Sequence, residues 1–184
     1  MGWMVLAAVL LAVPGAATSD ARGLLKKGED FPGFVVKGLS GQFFFLREHT
    51  GDKAKYRHAA IIFSFCQYDC KACRKEAPEL EKTLNAFRDR GLAVYMVNVG
   101  EDEKTARKLA DELKTSIPFL VDRYGVVWKL VGGTATPLTV LVDGAGKVHY
   151  VRPGFSEEKA EELRAELEEA VARLVGPGSG SPGR

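Results

Sequence analysis

The chain has 184 residues, of which 46% are hydrophobic and 27% are charged, a composition typical of one globular domain or at most two. Its three cysteines are too few for a small scaffold stapled by disulfides. The formal net charge is only +2, and no basic run is interleaved with aromatic residues. The sequence therefore gives no electrostatic case for binding nucleic acid.

The two ends of the chain differ from the middle. Residues 1–17 carry no charged side chain, and Trp3–Val13 is an unbroken apolar run. A helix of that length rises about 16 Å, roughly half of the hydrocarbon core of a bilayer. We therefore predict a secretory signal peptide over 1–17, cleaved near Ala17, with an uncleaved hydrophobic anchor as the alternative. Residues 176–184 are rich in Gly, Pro and Ser and predict a flexible tail, which leaves one domain over 24–175.

Strands and helices alternate within that domain. The predicted elements are an antiparallel pair at 34–37 and 42–46, a buried strand at 59–65, a helix at 74–90, a buried strand at 92–99, a helix around 106–113, strands at 119–122, 138–142 and 147–152, and a last helix around 163–174. The two helices that follow buried strands show apolar residues at helical spacing. This order predicts a mixed sheet with helices on both sides.

The candidate chemistry lies where the strand at 59–65 gives way to the helix. Cys70 and Cys73 form a C-x-x-C motif at this junction, a spacing that allows a disulfide across one helical turn. The first thiol would lie at the helix N-terminus, where free N–H groups and the helix dipole stabilise a thiolate. A zinc site is not predicted, because it would need a second pair of ligands. The three histidines, His49, His58 and His149, are predicted to be ordinary polar or core residues.

The motifs resemble those of a known family. Five segments carry the resemblance: Gly28–Phe34, the strand ending in Phe65, Cys70–Pro78, the strand Gly91–Asn98, and Thr136–Asp143. Their order and spacing resemble those of the thioredoxin-fold TlpA/ResA-type thiol-disulfide oxidoreductases, a branch of the redoxin (AhpC/TSA-like) superfamily. The resemblance covers about residues 28–174. It implies a thioredoxin-like three-layer α/β/α sandwich with a central mixed sheet and an N-terminal β-hairpin.

The resemblance also implies roles for individual residues. Cys70 would be the nucleophile that attacks a substrate disulfide, and Cys73 would resolve the mixed disulfide. Glu76 would serve as an acid or base for the resolving thiol; the alternative is a solvated helix glutamate. Pro137 would be cis, and Thr136 would offer its backbone to the substrate chain.

The chain departs from the family pattern beside the first active cysteine. Asp69 stands where the family usually has Trp, so Asp69, Lys71 and Cys66 are candidates for tuning the reactivity of Cys70. For Cys66 three interpretations remain open: a buried inert thiol, a partner for Cys70 in an alternative disulfide, or a metal ligand.

Three functions are compatible with these features. The favoured one is a thiol-disulfide oxidoreductase that exchanges or reduces disulfides of secreted or membrane proteins. The alternatives are a thioredoxin-fold copper chaperone using Cys66 and Cys70, or a redox-inert binding domain. A peroxidase is disfavoured, because the Pro-x-x-x-Thr-x-x-Cys pattern of that branch precedes none of the cysteines.

The resemblance and the N-terminal segment together define the expected setting. We expect a periplasmic or otherwise extracytoplasmic monomer, close to the membrane, that needs no cofactor or metal. Its partners would be protein thiols or disulfides and a second protein that renews its redox state.

The carboxylate next to Cys70 leads to a prediction. A negative charge at Asp69 opposes formation of the Cys70 thiolate, whereas Lys71 and the helix N-terminus favour it. We expect Asp69→Asn to lower the pKa of the Cys70 thiol and to speed its alkylation at pH 7 by up to roughly threefold. Thiolate absorbance in a Cys66→Ser, Cys73→Ser background measures the pKa. An unchanged or raised value would contradict the electrostatic effect and favour the alternative, an Asp69 side chain that points to solvent or caps the helix.

Overall fold

The computed structural model describes residues 23–176. The signal peptide predicted over 1–17 and all but the first residue of the predicted tail lie outside this range. The strands are β1 (Val35–Gly38), β2 (Phe43–Phe45), β3 (Ala60–Cys66), β4 (Leu92–Val99), β5 (Phe119–Asp122), β6 (Leu138–Asp143) and β7 (Val148–Pro153). The helices are α1 (Lys71–Phe87), α2 (Glu103–Leu113), α3 (Val126–Leu130) and α4 (Ala160–Val175).

The seven strands form one mixed sheet. Their order is β2-β1-β5-β4-β3-β6-β7, with β4 parallel to both β3 and β5 and the other neighbours antiparallel. The parallel pairs are those joined by helical crossovers, whereas the hairpins give antiparallel pairs. The predicted mixed sheet is confirmed, and β1 and β2 form the predicted N-terminal hairpin.

Strand β3 divides the core into two layers. On one face, Ile61, Phe63 and Phe65 pack against the N-terminal segment, the hairpin and α3. On the other face, Ala60 and Ile62 pack with side chains of α1, α2 and α4. Alternate residues of a strand point to opposite faces, and every residue of β3 is buried. The strand is therefore covered on both sides, and the three-layer sandwich is confirmed.

The helices differ from the sequence prediction at the start of α1 and in the presence of α3. Helix α1 begins at Lys71, three residues before the predicted start, because Cys70 supplies its N-cap. Gly91 ends the region as predicted, in the left-handed conformation with φ 90°. The five-residue helix α3 was not predicted, since it is too short to show helical periodicity. None of the helices within residues 23–176 is long and apolar enough to cross a membrane.

The aromatic cluster around Phe63 leads to a stability prediction. Phe63 is fully buried and stacks on Phe31 and Tyr95, with ring centroids 5.0 and 5.8 Å away. Phe63→Ala should reduce the free energy of unfolding by about 3–5 kcal/mol, because it removes the ring and leaves a cavity. The control is Phe43→Ala, at a residue that is 64% exposed, for which a change within about 0.5 kcal/mol is expected. Urea denaturation measures both; a loss at Phe63 no larger than that at Phe43 would contradict this account of the core.

Candidate active site

Cys70 and Cys73 are joined by a disulfide at the N-terminus of α1, with their Cα atoms 5.3 Å apart. Cys70 is the N-cap residue and is half-buried, whereas Cys73 is buried. The Cys73 N–H donates to the Cys70 Sγ over 3.1 Å. A thiolate at Cys70 would therefore be stabilised by a backbone donor and by the helix dipole. Of the two paired cysteines, Cys70 is therefore the more accessible to another molecule.

The residues flanking Cys70 face outward. Asp69 and Lys71 are both exposed. The alternative that Asp69 caps the helix is wrong, because the cap position and its hydrogen bond belong to Cys70. An effect of Asp69 on Cys70 therefore has to act through its charge.

Cys66 is the last residue of β3, fully buried and without a disulfide partner. Burial raises the pKa of its thiol, with Glu76 and Glu101 adding to the effect. A buried protonated thiol is a poor nucleophile and a poor metal ligand, which supports the interpretation of an inert core residue. Joint use of Cys66 and Cys70 for Cu(I) would require reduction of the Cys70–Cys73 disulfide and loss of the proton from the buried Cys66 thiol.

Glu76 lies one turn after Cys73 and is fully buried, so the solvated alternative is wrong. Its carboxylate accepts hydrogen bonds from Ser64 at 2.7 Å, Thr139 at 2.6 Å and Arg152 at 2.5 Å. The three donors form a row across the sheet, since Thr139 of β6 is the register partner of both Ser64 in β3 and Arg152 in β7. The sequence analysis missed all three donors. The available signal was a polar residue inside each of two apolar strands, Ser64 in β3 and Thr139 in β6.

A second carboxylate holds the loop that leads to Cys70. Glu101 accepts the backbone N–H of Tyr68 at 2.9 and 3.2 Å through its two oxygens. It also accepts the side-chain amide of the buried Asn98 at 2.6 Å. Glu101 and Asn98 were not predicted, although Asn98 is a polar residue inside an apolar strand. Together they tie the end of β4 to the active-site loop.

The side chain of Tyr68 connects α1 to α2 at the rim of the site. Its hydroxyl donates to Glu112 at 2.9 Å. The Arg74 guanidinium and the Lys108 ammonium lie 5.0 and 4.6 Å from the ring centroid, in the range of cation–π contacts. This rim is charged and borders one side of the disulfide.

The Thr136–Pro137 peptide bond is cis, as predicted. Pro137 is buried and Thr136 half-buried, directly before β6. The Thr136 hydroxyl donates to the Gln67 side-chain oxygen at 3.4 Å. This contact places the proline loop beside the loop that carries Cys70.

The histidines lie away from this site. His49 and His58 are 3.1 Å apart between ring nitrogens, and His58 precedes β3, whose other end leads to the cysteines. Burial and the nearby His58 lower the pKa of His49 to about 4. His149 contacts Asp143 at 2.9 Å. In the part of the chain that the structure describes, no three His, Cys, Asp or Glu side chains come together as a metal site.

The Glu101 contacts lead to a prediction. Glu101→Ala should leave the Tyr68 N–H and the Asn98 amide without an acceptor and reduce the free energy of unfolding by about 1–3 kcal/mol. Glu112→Ala is the matched control, because it removes an exposed carboxylate from the same tyrosine and should have little effect. Urea denaturation compares them; equal effects would mean that Glu101 does not anchor the loop.

The comparisons with known proteins agree with this geometry. The family model "AhpC/TSA family" matches residues 28–151. Two relatives are named thiol-disulfide oxidoreductase ResA. That of Halalkalibacterium halodurans is 28% identical over 143 residues, covering 77% of each chain. That of Geobacillus thermodenitrificans is 29% identical over 141 residues, covering 77% of this chain and 76% of the relative.

A solved structure extends the comparison to the fold. The thioredoxin domain of a thiol-disulfide oxidoreductase from Bacteroides vulgatus superposes with a TM-score of 0.65 at 26% identity. The match covers 79% of this chain and 97% of that domain. Since the family model spans more than half of the sequence, including both paired cysteines, this chain belongs to the AhpC/TSA family.

Proposed function

We propose that this protein is a thiol-disulfide oxidoreductase that exchanges disulfides with other proteins through Cys70 and Cys73. The observation that carries the proposal is the disulfide at the N-terminus of α1, with a half-buried outer cysteine and a buried inner one. The relatives named thiol-disulfide oxidoreductases support it.

The two sulfurs act in sequence. In the reduced protein, the Cys70 thiolate attacks one sulfur of a client disulfide, forming a mixed disulfide and releasing the other client sulfur as a thiolate, which takes up a proton from solvent. Cys73 then attacks the Cys70 sulfur, re-forms the intramolecular disulfide and releases the second client thiol. Two electrons pass to the client, and a reducing partner protein returns them to the cysteine pair.

The proline loop and Glu76 support this exchange. Thr136 offers its backbone to an extended client segment next to Cys70, and Pro137 shapes the same surface. Glu76, one turn after Cys73, acts on the proton equilibrium of the resolving thiol, either by exchanging a proton with it or through its charge.

The place of action is extracytoplasmic in this proposal. Its support is the apolar run Trp3–Val13 at the start of the sequence, together with the resemblance to the TlpA/ResA type. Clients would then be disulfide-containing secreted or membrane proteins.

The two cysteine roles are tested by trapping. Cys73→Ser should accumulate mixed disulfides through Cys70, because the resolving thiol is missing, whereas Cys70→Ser should accumulate none. Cys66→Ala is the matched control and should reduce insulin disulfides as the wild type does. Non-reducing gels with mass mapping identify the trapped cysteine; trapping through Cys66 would contradict the assignment. Failure of the wild type to reduce insulin would argue for a redox-inert domain.

A further inference from the structure

A buried ion pair lies behind the cysteine pair. The Glu76 carboxylate and the Arg152 guanidinium are 2.5 Å apart, and their side chains are 1% and 10% exposed. A carboxylate buried without a counter-charge takes up a proton. Here three donors surround it, and one of them is a cation, which favours the ionised form.

Arg152 is fixed on several sides. Its Nη1 donates to the Leu163 carbonyl of α4 at 3.1 Å. Its guanidinium lies 5.9 Å from the ring centroid of Tyr150 and 5.6 Å from that of Phe155. Within residues 23–176, Glu76 is the one carboxylate in ion-pair contact with Arg152. The position of this cation is therefore set by packing, and its charge is matched by Glu76.

The other titratable and charged groups around Glu76 do not replace Arg152. They are Cys73 and Glu79 on α1, Cys66 on β3, Tyr150 on β7 and Arg164 on α4. Arg164 is engaged by Glu79 at 3.1 Å and by Glu168 at 3.0 Å. Burial raises the pKa of both the Cys66 thiol and the Tyr150 hydroxyl, so these groups are neutral.

We propose that Arg152 is a positioning residue that holds Glu76 ionised, so that Glu76 acts on Cys73 through its charge and does not carry the proton of the thiol. The proposal rests on the proposed function, because it takes Cys73 as the resolving thiol. A carboxylate stabilised by three donors is a weak base and is poorly matched to a thiol. Its charge, one helical turn from Cys73, opposes the thiolate there.

The consequence is that the two cysteines differ in protonation state in the reduced protein. The helix N-terminus favours the thiolate at Cys70, and Glu76 keeps Cys73 as a thiol until the mixed disulfide has formed. When Cys73 attacks, its proton passes to the departing client sulfur. The first client sulfur, displaced by the Cys70 thiolate, leaves as a thiolate and takes its proton from solvent. Each client sulfur therefore ends as a thiol, and the client gains the two electrons that the cysteine pair loses in forming its disulfide.

Glu76→Gln distinguishes the two modes of action by the sign of its effect. If Glu76 acts through its charge, its removal should speed alkylation of Cys73 at pH 7 by roughly 3- to 30-fold. If Glu76 accepts the proton, the same substitution should slow the reaction. The rate is measured on the reduced protein in a Cys70→Ser background, with mass mapping to separate Cys73 from Cys66. A slower or unchanged rate would overturn the proposal.

The part played by Arg152 is tested with two substitutions that differ in charge. Arg152→Gln removes the charge and keeps a donor, whereas Arg152→Lys keeps the charge. In Arg152→Gln the buried carboxylate loses its counter-charge and should take up a proton within the pH range of the experiment, adding an inflection to the pH profile of Cys73 alkylation. Arg152→Lys should keep the wild-type profile, and Glu76→Gln/Arg152→Gln should lose the inflection.

Two results would overturn the role of Arg152: a wild-type profile that already contains an inflection removed by Glu76→Gln, or an Arg152→Gln profile identical to the wild type.

If Arg152→Gln does not fold, Thr139→Val provides a second test. It removes a hydroxyl donor from the same Glu76 oxygen but leaves the cation, so the profile should show no inflection, and an inflection there would overturn the proposal. Insulin reduction by the wild type tests the proposed function separately, because Cys73 alkylation needs no client.

Discussion

Burial of strand β3 on both faces is the constraint on which the rest of the structure depends. Every residue of Ala60–Cys66 is buried, and the strand pairs with β4 on one side and β6 on the other. A strand that is buried on both faces and paired on both edges reaches solvent only at its two ends. The first exposed residue after it is Gln67, and the cysteine pair follows within one short loop. The length of β3 thus fixes how far the disulfide stands from the core.

The same strand brings polar groups beneath the site. Ser64 lies inside β3 and is fully buried, and its register partner in β6 is Thr139. Burial of hydroxyl groups is unfavourable unless they are hydrogen-bonded, and the carboxylate of Glu76 from α1 accepts both. The sheet and the active-site helix are therefore joined by polar contacts at the point where the inner cysteine lies. This arrangement makes the surroundings of Cys73 electrostatically different from those of Cys70.

Much of the fold was predictable from local patterns, whereas the supports of the site were not. The apolar runs predicted β3 and β4 to within a residue, and Gly91 marked the end of the α1 region because a left-handed residue is needed there. The resemblance predicted a cis Pro137 and a role for the Glu76 carboxylate at the resolving thiol. The partners of Glu76 come from three strands, and Arg152 lies 76 positions further along the chain. Such contacts depend on strand order and register, which single-sequence periodicity does not define.

The distinctive residues of the loop have a similar explanation. Tyr68 lies two residues before Cys70, Glu101 lies in the loop between β4 and α2, and Glu112 lies in α2. No role was assigned to any of them from the sequence. In the structure the backbone and hydroxyl of Tyr68 bind these two carboxylates. The loop before Cys70 is thus held by residues some thirty to forty positions away.

The central claim is that Cys70 and Cys73 form the redox couple and that Cys66 takes no part in it. The most direct measurement is equilibration of the native protein in buffers of graded thiol–disulfide ratio, followed by quenching and mass mapping of each cysteine. The account predicts one two-electron transition in which Cys70 and Cys73 change together, with Cys66 a free thiol throughout and modified only after unfolding. A disulfide that contains Cys66 at any thiol–disulfide ratio would contradict the claim.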